Sequence, residues 1–320
     1  MRAIIPERYG QRMLRALVVS NMLPDGAHPE RGRFVRDQVR ALRDLDGLDV
    51  ELYEFPPGAA ALLDAARELR ASHRRRRLDV VHAHFGLSAW PALAVRARVR
   101  ALTVHGTDVR HPRTRQATRA VLPAIDVLGA ASAALAAELP GRRARRRAQV
   151  LPCGVDLERF RPLPRAQARG ELGLDPERPY LLFAADPARP GKRFDRAREV
   201  AGEVELLTLG GVAPERVPLY VNAANAVLVP SEQEGFGLAV LEALACDVPV
   251  LATPVGVHPQ ALAGLPGALC APFDAARWRA ALRACVDAGD PRVAGRERVE
   301  PFSATRMAER VAAAWRAALV

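Results

Sequence analysis

Lysine is all but missing from this chain. Of its 47 basic residues 46 are arginine, and Lys192 stands alone. Drift toward arginine explains most of the guanidinium groups without giving them a task, so the one retained ammonium marks a position where a compact point charge serves and a planar fork does not. Cysteine is sparse too: Cys153, Cys246, Cys270 and Cys285 show no C-x-x-C spacing and sit among small or apolar neighbours. That excludes a disulfide framework or a thiolate zinc site and reads as free thiols of a reduced compartment. No apolar stretch approaches the roughly 18 residues of a membrane-spanning helix, and Met1–Gln11 lacks the apolar centre of a secretory leader. A cytoplasmic protein is the expectation. Aromatic residues make up 5% of the chain and none interrupts the arginine runs Arg74–Arg77 and Arg142–Arg147, so no nucleic-acid surface is indicated.

What is present is alternation. With 320 residues and 49% hydrophobic content, the chain can bury the cores of two ordinary domains. Apolar runs at 14–20, 50–55, 79–83, 101–105, 126–130 and 149–151 read as strands, with helical stretches at 34–45 and 59–72. After a segment at 150–162 bearing Gly and two prolines, strands recur at 180–184, 203–209, 226–229 and 248–252, with helices at 274–288 and from 302. Strands alternating with helices imply open, mostly parallel sheets, here in two units with a hinge between them. Residues 1–12 have no periodicity and read as a loose arm. Charge divides with the units: residues 1–160 hold 28 arginines against 17 acidic residues, and 161–320 hold 19 basic against 19 acidic. A basic first half suits an acidic substrate or an anionic membrane surface; solvated helix faces and loops would absorb many of the same arginines.

The most informative stretch is Ser231-Glu-Gln-Glu-Gly-Phe-Gly-Leu-Ala-Val-Leu-Glu-Ala-Leu-Ala245. It follows the strand Ala226–Val229 and becomes helical from Gly237, which places Gly235, Phe236, Gly237 and Leu238 where a strand end meets a helix start. Such junctions in parallel sheets hold ligands, because free N–H groups at the helix start favour anions. Glu234 lies just outside the helix, where a carboxylate gains roughly 0.3–1 kcal/mol as a cap. Glu242 sits inside it among leucine and alanine, where a carboxylate is costly unless something hydrogen-bonds it. Carboxylates accept from hydroxyls and repel phosphates, so two of them at an anion-friendly crevice point to a ligand bearing both groups, as a nucleotide sugar does. The loop after the first strand offers Gly26 and Gly32 as close-approach points, or as an ordinary turn. His105 closes its strand before Gly106 and so faces a crevice; Asp108 reads as the cap of the turn that follows. His82 and His84 share a strand face, a spacing open to a metal but without an evident third ligand, and a hydrogen-bonded pair is the plainer reading.

The run Glu234-Gly-Phe-Gly-Leu-Ala-Val-Leu-Glu242, continued through Asp247-Val-Pro-Val-Leu-Ala-Thr-Pro-Val-Gly256, resembles the E-x7-E segment of the family 4 retaining glycosyltransferases. Asp79–Gly86, Leu102–Asp108 and Val150–Pro162 resemble the same family's acceptor-side and interdomain segments, so the likeness covers most of residues 14–318. It implies a GT-B fold: an acceptor-side Rossmann-like domain at 1–152, a donor-binding one at 153–302, and a C-terminal helix within 303–320 crossing back to the first. The donor domain is expected to be short, lacking a strand and a helix between Gly211 and the central motif. The resemblance implies transfer of a sugar from a UDP- or GDP-sugar with retention, without metal or further cofactor. Lys192, with Arg189 or Arg193, would hold the diphosphate beside the amides of Phe236, Gly237 and Leu238. Many members have an arginine five residues before the lysine; Pro187 stands there in this chain. Glu242 would hold the ribose, Glu234 the donor sugar, and His105 would touch that sugar from the opposite domain. A lipid-linked acceptor of cell-envelope synthesis, met at the inner membrane face, fits the basic first half. A nucleotide-sugar epimerase and a non-catalytic nucleotide-sugar-binding protein on the same scaffold are the rival readings.

Overall fold

A computed structural model describes residues 13–320; the arm expected at 1–12 lies outside the described residues. Two parallel sheets organise the chain. The first contains β1 (Leu14–Ser20), β2 (Leu48–Glu54), β3 (Leu78–His84), β4 (Ala97–Val104), β5 (Val127–Ala130) and β6 (Gln149–Val150) in the order β2-β1-β3-β4-β5-β6. The second contains β7 (Tyr180–Phe183), β8 (Glu205–Thr208), β9 (Ala226–Val229), β10 (Val250–Ala252) and β11 (Leu269–Cys270) in the order β11-β10-β9-β7-β8. The central strands are buried on both faces: every residue of β3, β7 and β9 is buried, so β7 and β9 read as continuous apolar runs rather than alternating ones, while β3 also buries Asp79, His82 and His84. Between Gly211 and β9 stands one helix, Val217–Ala223, and no strand.

Helices cover both sheets. The helix Arg33–Arg43 lies on one face of the first sheet, and beside it lies the last helix, Ala304–Leu319, whose Met307, Ala308, Val311, Ala312, Ala314 and Trp315 are buried. That spacing is the apolar stripe of an amphipathic helix, and it enters the core of the first domain rather than the second. Ser303 starts it, its side chain accepting from the Arg306 amide, while Val155 and Ser303 form a short parallel bridge where the two crossing segments meet. Arg296 holds this crossover, donating to the carbonyls of Phe160, Leu157 and Ala245.

Arginine plays two roles. Arg74–Arg77 are exposed, as solvated groups should be, but Arg165 and Arg169 are 4% exposed. They bind backbone carbonyls at Ala224, Gly289 and Ala223 and the amide oxygen of Asn225. For these two the solvated reading fails; their forked donors satisfy oxygens that the loops leave buried.

Candidate active site

In each sheet the strand order reverses once, between β1 and β3 in the first and between β7 and β9 in the second. Crevices outside the carboxyl ends of strands form at such points, and here the two face each other. After β9, residues 230–237 turn into the helix Leu238–Ala245. Gly237 adopts φ 107° at its cap, and a Cβ there would stand 2.5 Å from Nε2 of His258. The backbone amides of Phe236, Gly237 and Leu238 donate to no group among the described residues. Three free N–H groups at a helix start are an anion site in waiting.

Lys192 reaches this turn from the loop after β7. Its Nζ lies 2.6 Å from Oε1 of Glu234, with the two side chains 17% and 9% exposed, and the Glu232 amide donates to the Gly191 carbonyl at 3.0 Å. Burial alone would raise the Glu234 pKa; the Lys192 charge and hydrogen bond overcome that and hold it below the ordinary carboxylate value. The pair uses one of the three ammonium donors. Of the neighbouring cations, Arg193 is held by Asp195 and Glu232, whereas Arg189 is exposed with no side-chain partner among the described residues.

Glu242, inside the helix, is half-buried and has no hydrogen-bond or ion-pair partner among the described residues. Burial lifts its pKa to about 7, and the nearby Arg159 only moderates the rise. Around it lie groups of the first domain: Asp37, ion-paired to Arg159 at 2.9 Å and to Arg33 at 3.0 Å, while Arg33 also crosses to Glu215 at 2.6 Å. Gly32 stands just before the helix Arg33–Arg43 of the first domain. It has φ 68°, and a Cβ would meet the Met22 carbonyl at 2.4 Å and Glu54 at 3.0 Å, so the turn itself requires glycine.

The opposite wall is His105. Its backbone carbonyl packs so closely on Gly235 that a Cβ at Gly235 would lie 1.8 Å from the oxygen. Arg110 donates to the Glu234 carbonyl at 3.0 Å and Ser132 to the Gly235 carbonyl at 3.3 Å, so the glutamate–glycine turn is docked on the first domain. Behind His105 runs a stack of imidazoles. His105 Nε2 is 2.9 Å from His84 Nδ1, the rings 5.1 Å apart, and His84 stacks on His82 at 4.8 Å. His82 contacts Thr103 Oγ1 at 2.8 Å and accepts from the Trp315 indole at 3.2 Å. Burial pushes the pKa of His82 and His105 down to about 3 and that of His84 well below its usual value, so the column is neutral. The hydrogen-bonded reading accounts for both nitrogens of His82 and for Nδ1 of His84, with Trp315 as an unforeseen partner, while Nε2 of His84 is buried with no partner among the described residues. Asp108 caps the turn, accepting from the His105 and Gly106 amides at 3.0 and 2.8 Å; burial raises its pKa to about 6 against those bonds.

Sequence reasoning missed Arg110, Ser132, His258 and the open groove of about 850 Å³ lined by Arg110, Arg115, Arg145, Glu138 and Glu234. The arginine bias hid the first and the groove. His258, whose Nδ1 lies 2.8 Å from the Thr253 carbonyl, left a trace in Thr253-Pro-Val-Gly-Val-His258.

Residues 7–159 match the family model described as Glycosyltransferase Family 4, and residues 178–298 the one described as Glycosyl transferases group 1. The chain is 30% identical to a D-inositol 3-phosphate glycosyltransferase of Nocardia farcinica over 79% of this chain and 68% of that protein. To the protein of the same name from Geodermatophilus obscurus it is 31% identical, over 94% of this chain and 79% of that one. Among solved structures, HepE of Anabaena in complex with UDP-glucose superposes with a TM-score of 0.70 at 16% identity, covering 96% of this chain and 100% of that one. The shared architecture is the two-domain GT-B fold.

Proposed function

This chain is a glycosyltransferase belonging to family 4, and on that premise we propose that it transfers a sugar from a UDP- or GDP-sugar with the anomeric configuration retained. The observation that carries the reading is the meeting, at one switch point, of a largely buried Lys192–Glu234 pair with the amides of Phe236, Gly237 and Leu238, unpartnered among the described residues, opposite His105. Lys192 and those amides neutralise charge building on the leaving diphosphate, a preorganised electrostatic role. Arg189, free where Arg193 is tied, supplies the second cation that Pro187 does not. Glu242 accepts from ribose hydroxyls, Glu234 orients the donor sugar, and His105 contacts it from the first domain. Fixed positive charge at the diphosphate serves without a metal, and the docked turn excludes water in favour of the acceptor. A neighbour solved with UDP-glucose supports the donor class.

The acceptor reaches Glu234 through the groove beside it. There Glu138 is neutralised by Arg110, while Arg115 and Arg145 have no carboxylate partner among the described residues, which suits an acceptor carrying phosphate, as the relatives' name indicates for theirs. A lipid-linked phosphate of cell-envelope synthesis, met at the inner membrane face, belongs to this class; no helix among the described residues is long and apolar enough to cross a membrane. Liposome sedimentation without preference for anionic lipid removes the membrane part. A thermal-shift panel of UDP- and GDP-sugars tests the donor, because a ligand of the folded state alone raises apparent stability; transfer is then followed with the stabilising donor. Product from donor alone would indicate an epimerase, and transfer unaltered in both Lys192→Ala and Glu242→Ala would refute the catalytic reading.

A further inference from the structure

We infer that His84 is a positioning residue that hydrogen-bonds His105 in a single tautomer and leaves the His105 Nδ1–H as a donor turned to the cleft. The consequence for rate rests on the reading of His105 as a sugar contact; the tautomer rests on the geometry and on the neutrality of the two buried rings. The His105 ring is boxed on several sides: His84 lies against it with ring planes 20° apart, Phe34 at 4.7 Å and Phe85 at 4.8 Å. Phe85 takes φ 70° to be there, a backbone conformation that a bulky residue rarely adopts, and strain of this kind gathers where a site needs a fixed shape. Of the two ring nitrogens of His105, Nε2 is committed to His84, and Nδ1 has no partner among the described residues.

The direction of the His84–His105 bond follows from an orphan. Both rings are neutral, so one proton lies between them. Were it donated by His105, the proton of His84 would sit on its Nε2, which is wholly buried without an acceptor among the described residues. A buried N–H without an acceptor is the rarer vacancy. With His84 as donor only a lone pair is left unmatched, and His105 keeps its own proton on Nδ1, where it can donate to a sugar oxygen.

The test is ¹⁵N-histidine NMR of the full chain together with turnover. The wild type should show His105 protonated on Nδ1 and bare on Nε2. His84→Leu should abolish that single tautomer and lower kcat roughly 10- to 100-fold, the scale of a misplaced catalytic contact, with the donor KM changing less than about threefold. His84→Asn, whose amide nitrogen can occupy the place of Nδ1, should restore turnover to within about threefold. In a His105→Gln background His84→Leu should cost less than about twofold more, since the two act through one contact. His105 protonated on Nε2 in the wild type, or penalties that multiply in the double variant, overturns the inference. A lost tautomer with unaltered turnover instead refutes the sugar contact of His105, so the two failures are distinct. Should His84→Leu not fold, the wild-type spectrum and His84→Asn still decide.

Discussion

Replacing Lys192 by Met removes the only charge among the described residues within ion-pairing reach of Glu234 and should separate two roles that the native pair combines. Both side chains are largely buried, and breaking such a pair by deleting one partner costs about 3–5 kcal/mol, because the remaining charge loses its compensation. For a chain of 320 residues, an unfolding entropy of roughly 2.1 cal/mol/K per residue turns that into a fall in Tm of about 4–7 °C. The pH dependence has a definite sign. In the native protein Glu234 has a depressed pKa, so its contribution to stability is present above the ordinary carboxylate value and is lost as pH falls through the folded one. Without Lys192, burial dominates and the pKa rises. The deficit is then largest at neutral pH and shrinks toward pH 5 as Glu234 takes up a proton. Adding Glu234→Gln removes the stranded charge, so the double variant should recover most of the lost Tm. Donor affinity should not recover: the lost ammonium–phosphate bond, about 1.5–3 kcal/mol, weakens binding about 10- to 150-fold. Calorimetry across pH 5–8 with donor titration reads both. A Tm in Lys192→Met within about a degree of wild type at every pH would refute the buried-pair argument, and native donor affinity would refute the diphosphate role.

Glu242, with its pKa raised to about 7, should be ionised to grip hydroxyls, so donor binding should be about tenfold weaker at pH 6 than at pH 8, following the competent fraction; Glu242→Gln should flatten that profile, and isothermal titration at both pH values checks it. Gly235→Ala should fold but force the turn away from the His105 carbonyl by about 1 Å or more, given the 1.8 Å an added Cβ would leave; turnover should fall on the order of 100-fold and X-ray scattering should show a more open molecule. Trp315→Phe removes the indole donor to His82 while keeping the ring; stability should fall by about 1–3 kcal/mol, measured by denaturant unfolding.

The elements that carry the site were legible because a parallel sheet writes its central strands as apolar runs. β1, β9 and the helix Ala59–Ser72 fall on their expected bounds, and the helix expected from Gly237 begins one residue later. β11 was not, since two half-buried residues among glycine and proline leave no period to read. Lys192 was conspicuous as the one ammonium among arginines, and its pairing with Glu234 places the lone lysine at the central motif. What the sequence could not convey is contact across the cleft. Arg110 is one arginine of many until its guanidinium is seen on the Glu234 carbonyl. Trp315 lies 233 residues from the histidine it supports, a separation no local pattern spans.

The most direct test of the central claim is a crystal structure of the protein with its stabilising nucleoside-diphosphate sugar. The account predicts Lys192 Nζ and the amides of Phe236, Gly237 and Leu238 on the diphosphate, the Glu242 carboxylate on the ribose, and His105 against the sugar. A nucleotide bound with Lys192 and Glu242 both turned away from it would contradict the account.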